Sequence, residues 1–436
     1  MGKVDNQVGF YARMGLRMHP FSAIFMLLVL SGPPQPPPPN PDNPVDYIEW
    51  INAQFDLGSK QNAADTYLKA VKLFDDDDEL YERAKELAGS KLSETDRREL
   101  HEWTERNKDC LATFIAASKI RKCYFELRGS GALVEADQRW LMLLRRVAVL
   151  LGARARLRLA TGDVAGATDD ACAILRTGTH VRRQPSMIDH LVGLAITSVG
   201  YSLFLDMPLY RSNKTDYPAV IKALRRADRP ICSPGYTLLY EKTLVYDMIQ
   251  RGFGGRDDQG RFTELSVPAE TPGEVITARL RTPMTLRQLI DQADRCLAGC
   301  PEFFNASYAE SLSLGEQLAS RIKREVPVGV LVPDYRSTNR LDRRLRAERN
   351  AVRIVLRMNA IKVETGRWPT DLKAATPHEL IYRHDPFSGR DMVYRLRDGQ
   401  PLLYSVGTDT KDDGGEKRAH SIGDEGDFVF WPREKE

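Results

Sequence analysis

Apolar residues recur at three- and four-residue intervals along most of the chain after Val45, which is the spacing of helices that bury one face. The strongest such run covers residues 140–160, and its stripe consists of Leu141, Leu144, Val147, Leu151, Ala155 and Leu159. Near the C-terminus, strand-like runs appear at residues 392–396 and 402–406, with an Asp-Gly turn between them that suits a hairpin. The pattern therefore predicts a mainly α chain that ends in a small α+β module.

A short break joins the run at 140–160 to another amphipathic run at 164–176. Gly162 suits a left-handed helix C-cap and Asp163 suits the following N-cap, so the two runs predict an αα-hairpin. The turn sequence GDVAGA resembles that of a tetratricopeptide (TPR) hairpin, but no repeat of period 34 surrounds it. We therefore predict a multi-helix, TPR-like domain rather than a repeat array.

Residues 252–323 and His190 give structural predictions but no functional one. The glycine-rich stretch 252–260 and the polar connection that follows it to Thr282 have few apolar anchors and are predicted to be loop. Residues 283–323 predict one or two helices, with Cys296 and Cys300 on one helix face. His190 lies among apolar residues and is interpreted as a core-edge histidine rather than a ligand.

The N-terminus has the layout of an export signal. Basic residues precede an apolar run at 21–30, and small residues and a proline block follow it, so residues 1–32 are predicted to be a signal peptide or short anchor. Residues 33–44 are predicted to be an extended proline-rich spacer, because proline fixes φ and donates no hydrogen bond. We expect an exported, periplasmic or envelope-associated protein whose N-terminus provides any membrane contact. The alternative is an apolar arm on a cytoplasmic protein.

The rest of the chain divides at a short apolar linker. The predicted order is a helical domain at 45–326, the linker at 327–339 and a C-terminal module at 340–436. Lys+Arg 63 against Asp+Glu 60 leaves a net charge of +3, which does not favour nucleic-acid binding.

The C-terminal module contains an ordered series of short motifs. After a predicted helix at 340–364 come G-x-W-P, DPF-x-G, the hairpin and YS-x-G-x-D. This order resembles the globular head of the type II secretion major pseudopilins over roughly the last hundred residues. The matching residues are Gly366, Pro369, Asp385, Pro386, Gly389, Tyr394, Tyr404, Ser405, Gly407 and Asp409.

That resemblance implies a calcium-binding terminal loop. Calcium prefers several hard oxygen ligands on a flexible loop, and the carboxylates within reach are those of Asp409, Asp412, Asp413 and Asp427. Basic residues also occur in this loop, at Lys411 and 417–418. The alternative is therefore an acidic turn closed by its own hydrogen bonds.

No catalytic motif accompanies these elements: HExxH, GxSxG, a phosphate-binding loop and zinc-ligand sets are missing from the sequence. We predict a non-catalytic, exported helical scaffold that has a protein partner in the cell envelope and a calcium-binding tail, in envelope assembly or secretion. Two alternatives stay open: an envelope hydrolase with two distant carboxylates, and a cytoplasmic helical-repeat adaptor.

Overall fold

The computed structural model describes residues 35–55, 61–87, 89–129, 131–210, 216–268, 275–376, 380–416, 418–419 and 424–433. The predicted signal segment at 1–32 lies outside the described residues. Residues from Pro39 onward form one compact unit. Within it the chain is mainly helical, with two small three-stranded antiparallel sheets.

Ten α-helices precede the first strand in the described part of the chain. They are α1 (Tyr47–Phe55), α2 (Ala63–Lys72), α3 (Asp78–Glu86), α4 (Glu94–Arg106), α5 (Lys108–Lys119), α6 (Arg139–Ala160), α7 (Val164–Arg182), α8 (Met187–Asp206), α9 (Tyr217–Ala227) and α10 (Leu238–Gly252).

The predicted αα-hairpin is confirmed as α6 and α7. The carboxylate of Asp163 accepts a hydrogen bond from the backbone N–H of Gly166 at 2.8 Å, and Gly162 has a φ of +85°. Helix α8 packs against both helices and is buried on most sides. It belongs to Met187–Tyr210, which among the described residues is the one helical segment long and apolar enough to cross a membrane. Because 67% of its most apolar window is buried inside the protein, core packing accounts for that hydrophobicity.

The segment predicted to be loop after α10 is instead a sheet. Its strands are β1 (Phe253–Arg256), β2 (Phe262–Pro268) and β3 (Val275–Met284), paired antiparallel in the order β1-β2-β3. Few large side chains anchor it: Phe253, Phe262 and Leu265 are buried. Strands with so short an apolar pattern give little signal in the sequence.

Three helices, rather than the predicted one or two, follow the sheet: α11 (Leu286–Leu297), α12 (Cys300–Asn305) and α13 (Tyr308–Arg324). Gly299, with a φ of +81°, separates the first two. Cys296 and Cys300 therefore lie on different helices rather than on one face, and both are buried free thiols.

The C-terminal elements match the predicted module closely in type and order. They are α14 (Arg336–Thr365), the one-turn α15 (Leu372–Ala375), β4 (Val393–Arg397), β5 (Gln400–Ser405) and β6 (Phe428–Trp431). Gly366 ends α14 with a φ of +73°, and the β4–β5 turn has positive φ at Asp398 and Gly399. Two positive φ values in succession are those of the hairpin turn that the Asp-Gly pair predicted.

Helix α14 also joins the helical part to the C-terminal sheet. Its central residues Ala351, Val352, Ile354, Val355 and Leu356 are fully buried, and α14 packs against α8, α9 and β6. One apolar cluster consequently runs from α2 through α14 into β5 and β6, and a second holds α1, the first sheet and α10–α13. The division between 45–326 and 340–436, and the independent folding of the latter, stay predictions.

The end of the predicted spacer is held against α10. The side chain of Gln250 accepts hydrogen bonds from the backbone N–H groups of Asn40 (3.3 Å) and Val45 (2.9 Å), and donates to the carbonyl of Val45 (2.9 Å). This part of the 33–44 segment therefore packs on the folded unit.

Candidate metal centre

The loop that carries the predicted calcium ligands begins at the end of β5 and is anchored by Asp385. One carboxylate oxygen of Asp385 accepts from the Ser405 hydroxyl (2.7 Å) and the Phe387 N–H (3.0 Å). The other accepts from the Ser388 hydroxyl (3.0 Å) and the Val406 N–H (3.2 Å). This buried carboxylate is fully hydrogen-bonded, so it joins the DPFSG turn to β5 and has no capacity left for a ligand.

Other residues of the C-terminal motif series also make structural contacts. The Tyr394 hydroxyl donates to the Pro369 carbonyl at 2.8 Å. Gly407 has a φ of +70°, and a Cβ at this position would overlap the carbonyl oxygen of Gly426. Only glycine fits this close approach of the two ends of the loop.

Asp409 closes the neck of the loop. Its carboxylate accepts from the backbone N–H of Lys411 at 3.2 Å and from that of Gly426 at 3.1 Å. Each oxygen thus has a backbone donor, and the side chain bridges the start and the end of the loop.

Asp412 is held by three donors. The Tyr404 hydroxyl (2.6 Å) and the Gly414 N–H (3.0 Å) bond one oxygen, and the Arg395 guanidinium (2.5 Å) bonds the other. Burial alone would raise the pKa of Asp412, but these donors outweigh it and the pKa is lowered. Asp412 is therefore an anion that a guanidinium already neutralises.

Asp427 and Asp413 differ from the other two carboxylates. Asp427 is fully buried, and one of its oxygens accepts from the Gly415 N–H at 2.8 Å. Its Oδ1 and the Oδ2 of Asp413 are both buried without a hydrogen-bond partner. Burial and, after it, the negative charges of Asp412 and Asp413 together raise the pKa of Asp427 to about 6, although hydrogen bonds from the backbone of Gly415 and Asp413 act in the opposite direction. Orphaned, mutually repelling carboxylate oxygens are chemically suited to a hard cation or to a proton.

The four predicted ligands consequently take two kinds of position. Asp412, Asp413 and Asp427 interact electrostatically, whereas Asp409 is bonded to backbone at the neck. Among the described residues, no group of three or more His, Cys, Asp or Glu is arranged to hold a metal ion. Both oxygens of Asp412 already accept hydrogen bonds, one from Tyr404 and the other from Arg395.

A second polar cluster, around His190, was not predicted from the sequence. His190 is fully buried rather than at the core edge; its Nδ1 lies 3.3 Å from the Tyr236 hydroxyl and its Nε2 lies 3.4 Å from Asp342. Arg346 donates to the same carboxylate at 2.6 Å. Asp342 stands in a basic helical run, and no local sequence signal connects it to a histidine 152 positions earlier in the chain.

A hydroxyl, an imidazole and a carboxylate in contact, as in Tyr236, His190 and Asp342, also occur in catalytic sites. Here, however, the imidazole and the carboxylate are buried. Tyr236 exposes 38% of its surface, but desolvation of the part that packs against protein still raises the pKa of Tyr236 well above its usual range. Tyr236 is therefore a neutral phenol at physiological pH and a poor nucleophile. We interpret the contacts among Tyr236, His190 and Asp342 as a polar network that joins α8 to α14.

Comparison with known proteins adds no family: no protein-family model matches the chain, and neither the curated proteins nor the solved structures gave a match.

Proposed function

We propose that this protein is a non-catalytic, exported helical scaffold whose C-terminal acidic loop binds calcium. In this proposal the helical part provides the surface for a protein partner in the cell envelope, in assembly or secretion. The loop is a stability element that responds to the ion. The TPR-like character of the α6–α7 hairpin and the pseudopilin-like character of the last hundred residues are part of the same proposal.

The observation that supports calcium is the pair of orphaned oxygens on Asp413 and Asp427. An unpaired buried carboxylate oxygen carries a desolvation cost of about 1–3 kcal/mol or more. A divalent cation would remove that cost and the repulsion among Asp412, Asp413 and Asp427. Calcium fits better than magnesium because it accepts irregular shells that include backbone carbonyls. Asp409 would then keep the loop closed, and Asp412 would have to exchange Arg395 for the ion.

The experiment is thermal unfolding of the full chain in calcium and in chelator. Calcium binds the folded loop in preference to the unfolded chain, so we expect stabilisation of about 2.7 kcal/mol at a hundredfold excess over Kd, by RT ln(1 + [L]/Kd). Melting should rise by several degrees with calcium, rise less with magnesium, and return on chelation.

Asp413→Asn and Asp427→Asn should abolish the calcium shift, because each removes one orphaned anionic oxygen. Asp258→Asn, which changes an exposed acid in the β1–β2 turn, is the matched control and should leave the shift intact. Equal melting of the wild type in millimolar calcium and in chelator would favour the competing interpretation, an acidic turn closed by its own hydrogen bonds.

The two alternative functions, an adaptor and a hydrolase, predict different properties of the protein. A cytoplasmic helical-repeat adaptor requires no export, so a tagged chain found only in the cytosol with an intact N-terminus would favour it. An envelope hydrolase requires two accessible carboxylates, and the buried groups around His190 do not provide them.

A further inference from the structure

Among the described residues, three helices begin with the same capping box of a serine and an acid. The serine hydroxyl accepts from the backbone N–H of an acid three positions later, and that acid accepts from the backbone N–H of the serine. The pairs are Ser93 and Asp96 on α4, Ser186 and Asp189 on α8, and Ser307 and Glu310 on α13. Because the local hydrogen bonds are the same, differences among the three acids come from their surroundings.

The three acids differ in burial and in the charges beside them. Asp96 is buried, which alone would raise its pKa, but its hydrogen bonds with Ser93 and Arg83 outweigh burial and the pKa is lowered. Glu310 is exposed, and hydrogen bonds from Ser307 lower its pKa. Asp189 is buried and forms no ion pair in the described part of the chain. Its burial outweighs the hydrogen bonds from the capping serine and raises the pKa of Asp189 to about 6.

A second buried acid, Glu241 in the first turn of α10, holds the residue next to Ser186. Its carboxylate accepts from the backbone N–H of Met187 at 3.0 Å, while Asp189 accepts from that of Ser186 at 3.1 Å. Burial and, after it, the charge of Asp189 raise the pKa of Glu241 to about 7, although the hydrogen bond from Met187 acts in the opposite direction. Like Asp189, Glu241 forms no ion pair within the described residues. Two acids from different helices therefore bind successive N–H groups at the turn between α7 and α8.

The titratable groups that face these acids from the surrounding segments are phenols. Asp189 interacts with Tyr124 before α6, Tyr236 before α10 and Tyr240 on α10, and Glu241 interacts with Tyr240 and with Tyr335 before α14. One oxygen of Asp189 and the hydroxyl of Tyr335 are buried without a hydrogen-bond partner. The surroundings thus contain groups that can hydrogen-bond a neutral carboxyl, but none of them carries a positive charge.

The basic residue next to each acid in the chain has a carboxylate of its own. Lys242, which follows Glu241, pairs with Asp294 at 2.8 Å. His190, which follows Asp189, has its Nε2 at 3.4 Å from Asp342. Neither forms an ion pair with the two buried acids.

We propose that Asp189 and Glu241 form a pH-sensitive latch, which holds the turn between α7 and α8 on α10 in mild acid and loosens it towards neutral pH. In the neutral form, each acid keeps an oxygen that accepts from Ser186 or Met187, and a protonated carboxyl is also a donor. In the charged form, two carboxylates repel each other in a site with little water and no cation.

The direction of the pH effect follows from the two pKa values in the folded protein, about 6 for Asp189 and about 7 for Glu241. These exceed the ordinary values of 3.8 and 4.5, so the folded protein binds both protons more tightly than the unfolded chain does. The stabilisation is therefore fully present below about pH 4 and is lost as the pH rises to about 7.

The experiment is hydrogen exchange of the full chain between pH 4.5 and 7.5 at a fixed calcium concentration, followed by mass spectrometry. After correction for the intrinsic pH dependence of exchange, the protection factor of the amides at 186–187 should fall by roughly tenfold or more up to pH 7 and then level off. The amides of Ser93 and Ser307 are internal controls, because the acids of their capping boxes have lowered pKa values. Their protection should not follow the same pH dependence.

Two variants assign the effect to these acids. Asp189→Asn and Glu241→Gln each keep an acceptor oxygen and remove one charge. Each should raise the protection factor at 186–187 at pH 7 by roughly tenfold and reduce its pH dependence, and the double variant should remove that dependence. A gain in protection is a result that misfolding would not produce. Glu310→Gln, at the exposed capping box, is the matched control and should leave the protection at 186–187 unchanged.

Four results would overturn the proposal. A constant protection factor at 186–187 from pH 4.5 to 7 would mean that the acids are solvated or paired in the folded protein. An equal fall at Ser93 and Ser307 would indicate global unfolding rather than a local latch. An unchanged pH dependence in the double variant would assign the effect to another group, such as His190. Lower protection at pH 7 in both single variants, with the control amides unchanged, would show that the charged carboxylates hold the turn.

Discussion

Asp385 and Asp427 are both buried carboxylates in the C-terminal module, yet their surroundings have opposite consequences. Asp385 receives four hydrogen bonds, two on each oxygen. Asp427 has an oxygen without a partner, and its burial, followed by the charges of neighbouring acids, raises its pKa to about 6. The four donors satisfy the Asp385 carboxylate, whereas Asp427 stabilises the fold best as a neutral acid or beside a cation.

The variant Asp427→Asn tests whether the charge of Asp427 destabilises the fold, and it is measured in chelator so that no calcium is bound. The pKa of Asp427 is about 6 in the folded protein and about 3.9 in the unfolded chain, so the folded protein binds the proton more tightly. The wild type therefore loses stability as the pH rises from about 4 to 6. Asparagine keeps an acceptor for the Gly415 N–H without the charge. We expect the variant to be more stable than the wild type by about 1–3 kcal/mol at pH 7 and equally stable near pH 3, by urea unfolding. A variant that is less stable at pH 7 would mean that the anion is well solvated or paired.

Helices α7 and α8 approach each other through glycines. A Cβ on Gly193 would overlap backbone and side-chain atoms of Arg182, and one on Gly178 would overlap Thr197. One heptad after Gly193, Gly200 is similarly close to Leu175. This contact determines how the predicted αα-hairpin packs on the third helix.

Gly193→Ala therefore separates intrinsic helix preference from packing. Alanine is the better helix former by about 1 kcal/mol, but here its methyl group has no space, and overpacking typically costs about 1–3 kcal/mol. We expect a net loss of stability in urea unfolding. Gly254→Ala is the matched control, since a Cβ there meets no atom within 4 Å. Equal or greater stability of Gly193→Ala would show that α7 and α8 can move apart at little cost.

Across the whole molecule, buried ion pairs tie the C-terminal module to the helical part. Asp228, at the end of α9, accepts from Tyr201 (2.7 Å), Arg349 (2.8 Å) and Arg353 (2.5 Å). Arg433, beyond β6, donates to Asp206 at the end of α8 (2.9 Å). Apart from the Tyr201–Asp228 hydrogen bond, these contacts join residues more than a hundred positions apart, so both parts share their stability.

Asp228→Asn tests that coupling. It leaves two largely buried guanidinium groups without their carboxylate, and breaking one side of such a pair typically costs about 3–5 kcal/mol. We expect a loss of that order in urea unfolding, together with faster amide exchange in β4–β6. Asp291→Asn, at an exposed helical pair with Arg287, should cost less than about 1 kcal/mol. Unchanged exchange in the sheet would instead support a C-terminal module that folds without the helical part.

The sequence alone determined the secondary-structure elements that depend on interactions between neighbouring residues. The stripe at 140–160, the Gly162–Asp163 break and the Asp398–Gly399 turn depend on neighbouring residues, and each is confirmed. Helix α14 and the β4–β5 hairpin were likewise predictable from periodicity and turn residues. The first sheet was not, because its strands carry too few apolar positions to show a period of two.

The tertiary structure alone decided which charges meet. Nothing near Asp342 indicates His190, and nothing near Asp228 indicates Arg349. The four loop acids were visible in the sequence, but which of them keep unpaired oxygens depends on donors from β4 and β5. Periodicity and capping act over a few residues, whereas burial and the pairing of charges follow from how distant segments pack.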